Sequence, residues 1–73
     1  MDDFYEKIAE ILELDTLNPS DELANFPEWD SLSVLSAIAM IGADYGVNLT
    51  AADLRGVATA EALRDLVNSR RGR

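Results

Sequence analysis

Phe4, Ile8, Ile11 and Leu12 recur on one face at the spacing of an α-helix, with Tyr5 beside them, and predict a first amphipathic helix from Asp2 to Leu14. Asp2, Asp3 and Glu6 complement the dipole of its first turns, and Glu10 and Glu13 leave its outer face acidic. The period is lost between residues 15 and 30. Asn18-Pro19-Ser20, Pro27 and Asp30 punctuate that stretch, and each proline biases the residue before it away from helix. A loop this long is uncommon in a compact domain unless it is functional or partly structured. Leu17, Leu23, Phe26 and Trp29 are candidate anchors to the core, with one short turn expected near Asp21 to Ala24.

A second helix is predicted from Ser31 to Tyr45, capped by Asp30 or Ser31 and ended by Gly46. Leu32, Leu35, Ile38, Ile41 and Tyr45 form one stripe along it, yet Val34, Ala37, Ala39 and Met40 make much of the remaining circumference apolar too. A helix apolar on more than one side is either central to a core or exposes an edge to partners. Both readings stay open. Val47-Asn48-Leu49 is a short extended link. Thr50 with Asp53 then resembles a capping box ahead of a short third helix over Ala51 to Arg55, stopped by Gly56. Thr59 caps a last helix reaching about Ser69, with Ala62, Leu63, Leu66 and Val67 inward, and residues 70–73 carry Arg70, Arg71 and Arg73 as a basic tail expected to fray. The pattern is that of an all-α, single-domain four-helix bundle over residues 1–73, three main helices and one short one.

Charge and composition narrow the chemistry. The formal net charge of -8 is unevenly spread: residues 1–30 hold ten acids and one base, residues 31–73 four acids and five arginines. Nucleic acid and anionic membranes are poor partners for such a chain, and basic protein surfaces are good ones. The longest uncharged run, Ser31 to Ala43, is too short to span a bilayer. No signal peptide is apparent, so a cytoplasmic location without membrane insertion is expected. With no cysteine and no histidine, the chain lacks thiol nucleophiles, the usual zinc ligands and the commonest general base. Ser31 has only Lys7 or Asp44 as remote candidates to activate it, and no motif of serine catalysis surrounds it. Neither an enzyme nor a metal site is expected. What remains is a serine at a helix N-terminus, where unpaired N–H groups and the dipole favour an attached anion.

Asp30-Ser31-Leu32, at the start of the second helix of a small acidic four-helix chain, resembles the phosphopantetheine attachment motif of acyl carrier proteins. The likeness extends over nearly the whole chain, from the acidic first helix and long loop to Tyr45, the Val47-Asn48-Leu49-Thr50 link and the start at Thr59. It implies a 4'-phosphopantetheine arm on Ser31, with Asp30 and Leu32 assisting recognition by a phosphopantetheinyl transferase and Leu32, Leu35 and Ala39 on the docking face. It further implies acyl cargo held on the arm's thiol, supplied by a ligase or acyltransferase and used by a ketosynthase or other acyl-processing enzyme, with the carrier itself monomeric. Fatty-acid carriers bear several acids on the second helix, where this chain has Ser33, Ser36, Gly42 and Ala43, which points to a specialised lipid or polyketide-like pathway. Ala37, Ile38 and Ile41 facing Ala58 and Ala62 are candidate walls for the cargo. Two alternatives are an aminoacyl carrier, D-alanyl or peptidyl, and an unmodified helical interaction module in which Ser31 is only an N-cap. Peptidyl carriers usually place glycines ahead of the serine, and Glu28-Trp29-Asp30 does not.

Overall fold

The computed structural model describes residues 3–71; Asp2 of the expected first helix and Arg73 of the expected tail lie outside them. Helices α1 (Phe4–Ile11), α2 (Ser31–Tyr45), α3 (Ala51–Arg55) and α4 (Ala60–Arg71) follow in that order, with a 3₁₀ turn at Leu23–Asn25 inside the long first loop. The four helices form an all-α bundle. α2 packs against each of the other three, so it is the central element. Among the described residues, no helix is long and apolar enough to cross a membrane.

The first helix is shorter than its apolar pattern suggests. Glu13 adopts φ 58°, in the left-handed region. Leu14 N–H then reaches Ala9 O at 2.9 Å and Glu13 N–H reaches Glu10 O at 3.1 Å, the paired bonds of a Schellman ending. No glycine announces this stop. Leu12 nevertheless remains buried beside Phe4 and Ile8, which explains why the pattern runs past the helix.

Capping sets the other boundaries. Gly46, at φ 69°, ends α2 and returns its N–H to Gly42 O at 3.2 Å. Thr50 and Asp53 complete a reciprocal capping box, Asp53 N–H to Thr50 Oγ1 at 3.2 Å and Thr50 N–H to Asp53 Oδ2 at 3.0 Å. Those hydrogen bonds, first of all from the Thr50 backbone, hold the Asp53 carboxyl below its ordinary value, with Arg70 adding its charge. α4 begins with Ala62 N–H on Thr59 Oγ1 at 3.1 Å. It continues through Arg70 and Arg71, which were expected in a fraying tail. Arg70 lies 3.5 Å from Asp53, and the Arg71 guanidinium stacks over the Tyr45 ring, so both are held against the bundle.

The first loop is fastened to the start of α4. Ala60 N–H donates to Asp21 O at 3.0 Å and Glu61 N–H to Pro19 O at 2.8 Å, while Leu23 N–H meets Ala58 O at 3.0 Å beside an antiparallel bridge between Glu22 and Thr59. Loop carbonyls therefore satisfy donors that a helix start leaves unpaired. Leu17 and Leu23 are buried in the core, with Phe26 and Trp29 packed partly against it. The core itself is formed by Phe4, Ile8, Leu12, Val34, Ala37, Ile41, Val47, Leu49, Leu54, Leu63 and Val67 with smaller neighbours.

Candidate functional site

The apolar circumference of α2 divides into two faces. Val34, Ala37 and Ile41 point into the core, with Ile38, Met40 and Tyr45 partly buried against it. Leu32 and Leu35 do not belong to that inward stripe: they are 73% and 59% exposed, and Ala39 is exposed in line with them. The helix is thus both central and partly uncovered. Leu32, Leu35 and Ala39 share its outer edge, Leu32 directly after Ser31 and Leu35 and Ala39 one and two turns beyond it.

At the start of α2 the cap is Asp30. Its backbone is extended, and its Oδ1 accepts from Ser33 N–H at 3.0 Å, while Val34 N–H closes the first helical bond on Asp30 O at 2.9 Å. Ser31 is therefore the first residue inside the helix. The Ser31 hydroxyl takes part in no hydrogen bond among the described residues, and the residue is exposed. The N–H groups of Ser31 and Leu32 come before Val34, the first donor with an intrahelical acceptor, and are left unpaired among the described residues. An anion on the Ser31 oxygen would thus meet unpaired donors and the positive end of a fifteen-residue dipole.

The approach to the site is braced by a serine whose part the sequence does not reveal. Glu28 O accepts from Asp30 N–H at 2.9 Å and also from Ser33 Oγ, so one carbonyl ties the end of the loop to the first turn of the helix. Trp29, partly buried, donates its N–H to Phe26 O at 3.0 Å. Together these contacts fix the direction in which Asp30 and Ser31 are presented.

The residues once eligible to activate Ser31 lie elsewhere. Lys7 Nζ bonds Asp44 Oδ2 at 2.9 Å and lies 3.6 Å from Asp3, and the Asp44 hydrogen bond raises its pKa above the ordinary value. It also sits over the Tyr45 ring, whose phenol is pushed up by burial. This cluster is at the C-terminal end of α2, about 20 Å from Ser31 at 1.5 Å per residue. Among the described residues, no group of acids is placed to hold a metal ion.

Beside the start of α2, a depression of about 250 Å³ is lined by Ile11, Glu13, Glu28, Asp30, Leu32, Ser33 and Ser36. It opens between the end of α1 and the start of α2. The cargo walls expected from the sequence are on a different flank, where Ala37 and Ile41 are fully buried core residues and Ala58 is exposed.

The bundle and its exposed helix-start serine define a small helical domain suited to carrying a covalent group on its surface. The family model described as the phosphopantetheine attachment site matches residues 2–67, and the chain belongs to that family. Its cofactor is 4'-phosphopantetheine, covalently attached, and carriers of this kind work with a phosphopantetheinyl transferase and acyl-processing enzymes. No curated protein and no solved structure was found to match the chain.

Proposed function

We propose that this chain is an acyl carrier protein that bears its 4'-phosphopantetheine on Ser31. The observation that carries this reading is the hydroxyl without a structural role: Asp30 supplies the cap, and Ser31 is exposed beside two unpaired N–H groups. The same observation weighs against an unmodified interaction module in which Ser31 serves as the N-cap. The terminal thiol of the bound arm supplies the thioester chemistry. The chain's own residues hold the phosphodiester at the helix start, orient it through Asp30 and the Glu28 carbonyl, and leave the reaction to partner enzymes.

Leu32, Leu35 and Ala39 form the docking edge in this reading, meeting an acyl-loading ligase or acyltransferase and then a ketosynthase or related enzyme. Because the exposed middle of α2 is uncharged, docking there is chiefly apolar and only mildly dependent on salt. That suits a specialised lipid or polyketide-like pathway served by a monomeric cytoplasmic carrier. Glu28-Trp29-Asp30, without the glycines usual in peptidyl carriers, favours acyl over aminoacyl cargo. Incubation with coenzyme A and a broad-specificity phosphopantetheinyl transferase is expected to raise the mass of the wild type and not of Ser31→Ala. A wild type left unmodified would sink the reading, and loading assays with acyl and aminoacyl ligases decide the cargo class.

A further inference from the structure

We propose that Ser33 is a positioning residue for the modification of Ser31: by donating its hydroxyl to the Glu28 carbonyl, it holds the turn into α2 in the form that the transferase meets. Resting on the carrier reading above, this role is exerted through the backbone, without contact to the enzyme or to coenzyme A.

Three serines, Ser31, Ser33 and Ser36, stand in the first two turns of α2, and their hydroxyls differ. Those of Ser31 and Ser36 take part in no hydrogen bond among the described residues, whereas Ser33 Oγ donates to Glu28 O. Ser33 N–H donates to Asp30 Oδ1 at 3.0 Å, and Asp30 N–H donates to the same Glu28 O at 2.9 Å. Glu28, Asp30 and Ser33 are thus closed into a ring of three hydrogen bonds. In a capping box a Glu or Gln at the third helical position accepts from the N-cap N–H. Here the Glu28 carbonyl takes that N–H, and Ser33 gives the carbonyl its second donor. A carboxylate in place of this hydroxyl could only accept, so it could not make the bond.

The end of the loop has few other ties. Its first half is fastened to the start of α4 through Pro19, Asp21 and Leu23, but Pro27 has no N–H to give, and Trp29 N–H stays within the loop on Phe26 O at 3.0 Å. Between Phe26 and Ser36, both side-chain hydrogen bonds among the described residues involve Ser33. The peptide joining Glu28 to Trp29 is therefore referred to the helix by the Ser33 hydroxyl.

Ser33 is not placed to be touched by an enzyme seated on Ser31. It follows Ser31 by two residues and so points about 160° away from it around the helix. It is half-buried where Ser31 is exposed. Transfer from coenzyme A forms a bond from Ser31 Oγ to the pyrophosphate phosphorus as the bond to the adenosine bisphosphate leaving group breaks, and the Ser31 proton passes to the transferase. Such an in-line displacement depends on the direction from which the oxygen arrives. A carrier whose turn has loosened offers the competent form only part of the time, which raises KM and leaves kcat as it was.

The test measures kinetics of the broad-specificity transferase on the apo protein at saturating coenzyme A. Ser33→Ala is expected to raise KM about fivefold, the worth of one neutral hydrogen bond, with kcat unchanged. Ser33→Thr restores the hydroxyl and Ser36→Ala removes an unbonded one, and each is expected to stay within about twofold of wild type. Ile8→Val weakens the fold from a fully buried site on α1 and is likewise expected to leave KM within about twofold. An unchanged KM in Ser33→Ala, an equal rise in Ser33→Thr or Ile8→Val, or a loss confined to kcat overturns the proposal. Failure of the wild type to gain mass sinks the Ser31 reading, whereas a modified wild type with Ser33→Ala its equal overturns only the positioning role.

Discussion

Two adjacent residues at the start of α2 are assigned opposite duties, and thermal stability can separate them. Asp30→Ala removes the Oδ1 that accepts Ser33 N–H and the charge beside the helix dipole. Loss of a cap costs about 0.5–2 kcal/mol, typically near 1, and the charge at the helix start is worth about 0.3–1 kcal/mol when exposed. For a domain of this size each kcal/mol lowers Tm by about 4–8 °C, so Asp30→Ala is expected to melt several degrees lower. Asp30→Asn keeps an acceptor and loses only the charge, and should fall between it and wild type. Ser31→Ala removes an unbonded hydroxyl from the first helical position, where alanine is well tolerated, and is expected to stay within about 0.5 kcal/mol. Calorimetry of the three variants at neutral pH, paired with mass measurement after transferase treatment, gives the full pattern: Ser31→Ala stable and unmodifiable, Asp30→Ala destabilised. A Tm loss in Ser31→Ala equal to that in Asp30→Ala would refute the division of roles.

The two glycines of α2 should respond oppositely to alanine. At Gly42 an added Cβ finds Val47 O no nearer than 3.8 Å, so Gly42→Ala is expected to raise stability by about 0.5–1 kcal/mol in urea unfolding; at Gly46, φ 69° makes the same change cost about 1–2 kcal/mol. Phe4→Ala empties a fully buried site packed against Tyr5 and Tyr45, and a loss of about 3–5 kcal/mol should leave a large share of the chains unfolded by far-UV circular dichroism. Because the folded Asp53 pKa lies below the ordinary 3.8, its contribution is fully present above that value and fades as pH falls through the depressed one; wild type should lose more urea stability on acidification than Asp53→Asn. Leu35→Ser, at a 59% exposed position, is expected to leave Tm unchanged while raising KM for partner enzymes, read by loading assays.

The bounds of α2 and α3 were legible because their signals are local. Asp30, Gly46 and the Thr50/Asp53 box each act within a few residues, and the helices start and stop where those signals place them. The position of Ser31 followed from the same signals. The end of α1 was not legible, since a glutamate occupies the left-handed position where glycine is usual. In α2 the stripe beginning at Leu32 and Leu35 competed with one through Val34, Ala37 and Ile41, and only the placement of the neighbouring helices chose the second for the core. The depression was equally hidden: Ile11 and Ser36 line it together only through the packing of α1 against α2. Ser33 looked like a neutral replacement for an acid, and its hold on the Glu28 carbonyl depends on loop geometry that no spacing encodes.

The hydrogen bonds from Ala60 and Glu61 to Asp21 and Pro19 join positions about half the chain apart. Closing so long a loop carries an entropy cost that local helix formation does not, so these contacts are expected to form after the helices. The first half of the loop that leads to Glu28, Trp29 and Asp30 is therefore fastened by the same event that docks α4, while the local hydrogen bonds of Glu28 and Trp29 set its last residues. Trimming the chain from its C-terminal end is expected to loosen the loop that leads into the start of α2, although α4 supplies none of the residues there. The site is in this sense expected to assemble as the fold closes.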